Sequence, residues 1–341
     1  MMSHVALAIL LGALHATPGD GCMLSKSASK AVKELRKALA DPDTGIRLET
    51  VGLLFEQRHK LAAQLLRPAL ADPADVVRFT AAASPAVPLD EKVRSTLVEG
   101  LKFVGASEFE TLTIRYGCAS RLVSFGHEQG IRALSEACRS ARGQSRLLLA
   151  LTLSRIGDKR LKPCAEDLFR DKDKRHILIR ICAAEALARM GDPRGRPYLL
   201  EVLAGENRED ASFAAASLAA LRDKSALPQV RGLLQWRGAT TEKNWRWRVR
   251  AALSAALLGE EKAVGLLTSI LSQTADPFVR ACTMAELGYV GTEKEIGVLR
   301  KFLMSENGQE RRAAAAAIVH ILGRTAQRPE RLPRAESRSL P

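Results

Sequence analysis

From about residue 25 onward, apolar and polar positions recur along the chain in one spacing. In Ile179-Arg180-Ile181-Cys182-Ala183-Ala184-Glu185-Ala186-Leu187-Ala188-Arg189-Met190-Gly191-Asp192, an Arg is followed by small residues at three and four, Leu at seven and Gly at eleven. Similar segments run from Val279-Arg280 to Gly291 and from Trp247-Arg248 to Gly259. Positions three, four, seven and ten share one stripe of a helix with 3.6 residues per turn. Ala on that stripe lets a neighbouring helix approach, and Leu fills the space beside it. Gly ends the helix, because it enters the left-handed cap without strain. With the Arg as anchor, the register gives Arg47, Arg78, Arg115, Arg146, Arg180, Arg248, Arg280 and Arg312, at steps of 31, 37, 31, 34, 68, 32 and 32. The step of 68 contains a further unit anchored at Ala211, which makes nine.

An acidic residue follows the Gly position in several units: Asp158, Asp192, Asp223 and Glu260. Such a carboxylate accepts the unpaired amides of a new helix. A second helix is therefore predicted in each unit, ending near Arg170, Ala204, Gln235, Ser272 and Ser305. Pro163, Pro197 and Pro228 fall at one equivalent place about a turn into it, where Pro bends or restarts a helix. The second unit departs from the pattern, with Pro85 for the Leu and Leu89 for the Gly, which predicts a short or irregular helix over 77–88. No segment carries a strand period. The pattern predicts an all-α fold, an α-solenoid of about nine helix–turn–helix repeats.

The run V/I-R, Ala-Ala, Ala-Leu, Gly-Asp resembles the HEAT repeat, particularly the short bacterial type shared with phycobilisome lyases, over residues 25–324. The resemblance implies a superhelix with the Arg-bearing second helices on the concave side. The functions it implies are those of a scaffold, lyase, transport receptor or DNA-repair protein. Stacking also follows from physics, since one helical pair cannot bury its apolar stripe alone and contacts only its neighbours.

Composition adds constraints. Aromatic residues are 4% of the 341, which argues against a β-sandwich or barrel. Lys and Arg number 52 against 38 Asp and Glu, and the formal charge of +14 favours an acidic partner. No apolar run reaches the roughly 18 to 20 residues that span a bilayer. Val5 to Leu14 is apolar and is followed by Thr17-Pro18-Gly19-Asp20-Gly21, so residues 1–21 resemble a secretory signal peptide. The leading Met-Met-Ser-His lacks the usual cation, and Gly19 stands where a lipoprotein ending before Cys22 would have Leu. The other reading is an apolar first helix. Export to the periplasm or beyond follows from the first reading, a cytoplasmic site from the second. Residues 325–341 are basic and are predicted to be a disordered tail. Six cysteines lie without a CxxC pair and read as buried thiols, not a disulfide framework.

Three sets of residues could carry function. The Arg ladder (Arg47, Arg78, Arg115, Arg146, Arg180, Arg248, Arg280 and Arg312) reads as structural. Asp41-Pro42, Asp72-Pro73 and Asp276-Pro277 precede three of these anchors, suggesting a repeated ion pair with the preceding loop. Arg121, Arg155 and Arg189, six or nine residues after their anchors, form a basic stripe if those positions face the groove. Glu56, Ala220, Leu257, Glu286 and Tyr289 at equivalent places keep that groove mixed. The third set is a segment holding every Trp, with Trp236, Arg237, Lys243, Trp245, Arg246, Trp247 and Arg250. Trp with Arg is a composition of interface hot spots, and the tryptophans are predicted to be at least half-exposed.

Enzyme signatures are missing: there is no GxGxxG, P-loop or HExxH. His127-Glu128 stands as a single His-Glu pair, where the di-iron branch of HEAT proteins uses several. No cofactor or metal is expected. The expectation is a monomeric, non-catalytic scaffold with an acidic protein partner. A nucleic-acid-binding or DNA-repair-like protein and a phycobilisome-lyase-like enzyme are the alternatives.

Overall fold

The structure, a computed structural model, describes the backbone at residues 18–171, 173, 176–235 and 242–327, and side chains from residue 26 on, except those of 242, 243 and 327. The described residues form eighteen α-helices and no strand. After α1 (Pro18–Leu39), pairs follow in order: α2 (Thr44–Leu54) with α3 (Lys60–Leu66), α4 (Asp75–Ala83) with α5 (Glu91–Gly100), and α6 (Glu108–Ser124) with α7 (Glu128–Ser140). Then come α8 (Gln144–Ser154) with α9 (Lys162–Phe169), α10 (Ile177–Arg189) with α11 (Gly195–Leu203), and α12 (Arg208–Ala220) with α13 (Leu227–Leu234). Last are α14 (Glu242–Leu257) with α15 (Lys262–Gln273), α16 (Pro277–Val290) with α17 (Glu293–Phe302), and α18 (Gly308–Gln327).

Local chemistry sets these boundaries. Asp43, Ser107, Asn207 and Asp276 cap first helices by accepting from amides of the first turn. Asp158 and Asp223 cap short 3-10 turns, after which Pro163 and Pro228 restart the chain as α9 and α13. The second unit's first helix is short, as its sequence indicated, and stops at Ala83. Gly191 and Gly259 end α10 and α14 in the left-handed region, with φ of 81° and 106°. Unit six has Arg222 at the same register, held at φ 58°, where a side chain is strained.

The predicted stripe is the core. Leu54, Leu122, Leu153, Leu187, Leu218, Ala255, Leu287 and Val319, all seven after their anchors, are fully buried. The first helices of successive units pack on one another and form an inner layer, while the second helices lie outside them.

The structure overturns two architectural expectations: the Arg-bearing helices are the first of each pair and not the second, and the array is not open-ended. Helix α1 packs along α18 and also meets α2 and α17, the set of neighbours a second helix has elsewhere. The ninth unit is thus α18 completed by the amino-terminal helix, and the array closes on itself as a ring. One core cluster runs through the junction, from Ala28 to Leu122 and from Trp245 to Leu322. Among the described side chains, Ser27, Ala28, Ala31, Leu35 and Ala38 form the packing face of α1. The proposed signal segment mostly lies outside the described residues; of the tail expected at 325–341, residues 325–327 belong to α18 and the rest lies outside the described residues.

Two of the cysteines are not the buried thiols expected. Cys138 of α7 and Cys164 of α9 form a disulfide, with Cα atoms 5.7 Å apart. Their separation of 26 residues carries no motif. Only the tertiary stacking of units three and four brings them together. Cys118, Cys182 and Cys282 are free thiols, and burial pushes Cys118 and Cys182 up to about 12.

Candidate functional site

The ladder arginines all have partners within the fold, and several of these differ from the acids of the preceding loop. Arg47 makes a bidentate bond to Asp72 of the next unit, at 2.7 and 2.9 Å, and donates to the carbonyls of Asp41 and Pro42. Burial would raise Asp72, but the Arg47 hydrogen bond and the Ala74 amide hold it below the usual carboxylate range. Arg280 likewise reaches Glu310 of the next unit at 2.7 Å, whereas Asp276 caps its own helix. In these two units the ion pair joins a unit to the following one. Arg78 donates to the carbonyls of Asp72 and Pro73 and pairs with Asp75. In unit nine the equivalent loop contacts, to the carbonyls of Ser305 and Glu306, come from Arg311. Arg312 instead crosses the closure to Glu49. Arg115 donates to the carbonyl of Phe103, and Arg146 pairs with Asp167 and Asp171. Arg180 lies over the Tyr198 ring and Arg248 over that of Trp245.

The Trp-rich segment is not a surface patch where it is described. Trp245 and Trp247 are 7% and 5% exposed. Trp245 shares a face with Val249 and Ala252, and Trp247 with Ala251, Ala255 and Leu258, so each fills the core on a different side of α14. Arg246 remains exposed, stacked on Phe278. Arg250 is drawn inward, donating to Ser212 at 2.6 Å with its guanidinium 3.5 Å from the Phe213 ring centre. Burial pushes Glu286 up to about 7, with Arg250 opposing the shift. Trp236, Arg237 and the Lys243 side chain lie outside the described residues.

The stripe formed by positions six and nine does come together. Arg121, Arg155 and Arg189 line one cavity of about 680 Å³ on the inner layer of units one to five. Arg155 crosses to Glu56 of the first unit at 2.6 Å, a pair separated by 99 residues. Burial raises Tyr289 of unit eight, and the charges of Glu56 and Glu286 raise it further. Arg189 is less open than its position suggests. It donates to the carbonyls of Ser154 and Ala220 and to the carboxylate of Glu185, tying units four, five and six together. Arg121 donates to the Val87 carbonyl and lies over Phe125.

A fourth cation, Arg58, lines the cavity and was not among the sequence candidates. It stands eleven residues after Arg47, where other units carry the helix-ending Gly, and that substitution was the available signal. Burial and the nearby Arg58 charge push Arg121 down to about 10. Phe79, Ile114 and Tyr116 supply apolar walls, and Leu151 and Phe125 are large apolar side chains left exposed beside them. Among the described residues no cluster of His, Cys, Asp or Glu could hold a metal ion. None of the described helices is long and apolar enough to cross a membrane.

A chain of stacked helix pairs whose repeated contacts run between neighbouring units is an α-solenoid. The family model for HEAT repeats matches residues 131–219 and 236–319, about half of the chain, and the protein belongs to the HEAT-repeat family. The crystal structure of YibA from Escherichia coli aligns with 16% identity over 80% of this chain and 98% of that one, at a TM-score of 0.34. No curated protein matches the sequence.

Proposed function

We propose that the protein is a non-catalytic interaction scaffold whose inner face receives an acidic surface of a protein partner. HEAT repeats generally mediate protein interactions or scaffolding. The observation that carries the reading is the convergence of Arg58, Arg121, Arg155 and Arg189 on one cavity. Two acids, Glu56 and Asp158, stand among its lining residues, so the cavity is basic within a chain of charge +14. Leu151 at its edge is 41% exposed and offers apolar contact area beside the cations.

The scaffold is further proposed to act outside the cytoplasm. The apolar run from Val5 to Leu14 supports this, and so does the Cys138–Cys164 bridge, because disulfides persist chiefly in oxidising compartments. A photo-crosslinking residue placed at Leu151 should capture a protein partner in cells, while the same residue at Glu136 on the exposed surface of α7 should not. Equal capture at both positions, or capture of nucleic acid at Leu151, would count against the scaffold reading. Sequencing the mature amino terminus after fractionation tests export.

A further inference from the structure

We propose that the inner cavity binds a partner segment in which acidic and apolar residues alternate, one of its carboxylates taking on Arg155 the place that Glu56 holds in the free ring. This rests on the scaffold reading above and names what the partner must present.

The donor inventory of the cavity points to an anion. Thr80, Thr113, Thr152 and Ser124 line it, but each hydroxyl donates to a carbonyl of its own helix. Beside the hydroxyls of Ser120 and Tyr116, the lining presents the guanidinium groups of Arg121 and Arg155, which bind carboxylates in a planar, charge-assisted geometry. Arg121 is short of a counter-charge. Its Nε is buried and has no acceptor, and its neighbour Arg58 carries the same charge. Of the two acids in the lining, Asp158 is already committed, capping a 3-10 turn and pairing with Arg160 at 2.7 Å.

Glu56 is the replaceable acid. The Arg155 side chain is 65% exposed and that of Glu56 32%, and a pair so placed in water contributes little stability. An incoming carboxylate can therefore displace it at small cost. The size fits a segment and not a folded domain, since about 680 Å³ lies within the range of pockets that enclose small ligands. Phe79, Ile114, Tyr116 and Leu151 give apolar surface between the cations, which asks for apolar residues between the acids.

The test is fluorescence anisotropy on the full chain. The probes are a short labelled peptide alternating Glu with Leu, its counterpart with Gln for Glu, and a single-stranded DNA oligonucleotide. The Glu peptide should bind and the Gln peptide should not. Arg121→Ala and, independently, Arg155→Ala should weaken binding by roughly tenfold or more, as expected for losing a charge-assisted bond. Arg155 is mostly in solvent, so its variant keeps the test valid if Arg121→Ala fails to fold. Glu56→Gln should tighten binding severalfold by removing the internal competitor, while the exposed control Glu206→Gln should leave it unchanged. Equal binding of both peptides would overturn the proposal, as would equal effects of the two Glu variants or tighter binding of the DNA with the same Arg dependence. If Leu151 captures a protein partner but the Glu peptide fails to bind, this inference falls and the scaffold reading stands.

Discussion

Gln57 of the first unit donates from its side-chain amide to the main-chain carbonyl of Ala316 in α18, at 3.1 Å and 259 residues along the chain. Around this bond the two ends of the repeat array meet. His59 and His320 face each other with ring centres 5.6 Å apart, and Arg311 reaches Glu34 of α1 at 3.1 Å. In a linear solenoid the terminal units each lack a neighbour. Here the amino-terminal helix fills the vacant place beside α18, so no unit is terminal.

The closure can be tested with one methyl group. A Cβ on Gly323 would run into the ring of His59, which is buried and held by Gln57 and the Ala62 amide. Gly323→Ala should cost about 1 to 3 kcal/mol, the usual penalty of overpacking. Gly297 in α17 has open space around it, and Gly297→Ala should stabilise by up to about 1 kcal/mol through helix propensity. Chemical denaturation of both variants checks this. A neutral Gly323→Ala would mean that the ends do not pack as described.

The seam should also be sensitive to acid. Burial first, then the charge of Arg324, hold His59 down to about 4, and the same causes with His59 added hold His320 to about 3. The unfolded chain, with ordinary histidines near 6.5, binds more protons in this range. Stability at the seam is therefore complete above about 6.5 and is lost as pH falls through about 4 and 3. Glu286 acts the opposite way: raised to about 7, it contributes below its ordinary 4.5 and loses that contribution as pH rises through 7. In urea titrations across this range, His320→Phe should flatten the acid limb and Glu286→Gln the neutral one. An unchanged acid limb in His320→Phe would remove the seam histidines as the cause.

The helix pairs were legible because each unit repeats the same Ala, Leu and Gly spacing, and burial follows it residue by residue. Closure was harder to see, because it arises from the rotation accumulated between units and not from any one of them. One signal was present: Ala313 to Leu322 is apolar on every face except at His320, and a helix buried all round is an interior helix, not a terminal one. Arg121, Arg155 and Arg189 could be placed by register, whereas Arg58 was hidden at a position that elsewhere holds Gly. Trp245 and Trp247 differ from the expectation because their composition suggests an interface, while their spacing with Val249 and Ala251 matches two core faces.

Trp245 and Trp247 should behave as core residues. In a Trp236→Phe background, iodide should quench the remaining fluorescence weakly in the folded protein and strongly after denaturation. Trp247→Ala should cost about 3 to 5 kcal/mol, the range for truncating a buried aromatic. Strong quenching in the folded state would restore the segment as a surface.

Leu187 and Arg189 compare packing with ion pairing on one helix. Leu187 is fully buried, and Leu187→Ala should cost about 2 to 5 kcal/mol. Arg189→Ala should cost about 1 to 3 kcal/mol, because it strips Glu185, a carboxylate buried in the fold, of its partner. Denaturant midpoints of the two variants test the pair. A cost for Arg189→Ala within about 0.5 kcal/mol would place that side chain on an open face instead.

The disulfide links the fold to its compartment. Cys138 and Cys164 close a loop of 26 residues between units three and four, and a loop of that length stabilises by about 3.5 kcal/mol in the chain-entropy model. The double variant Cys138→Ala with Cys164→Ala should lose about that much. Thiol titration of protein isolated without reductant gives a more direct reading. Cys118 and Cys182 should react only once denatured, since both are buried. Cys138 and Cys164 should react only after a reductant is added as well, and mass spectrometry of labelled peptides tells the sites apart. Labelling of Cys138 and Cys164 in denaturant alone would show reduced thiols in the cell, and would remove the structural support for export along with the bridge.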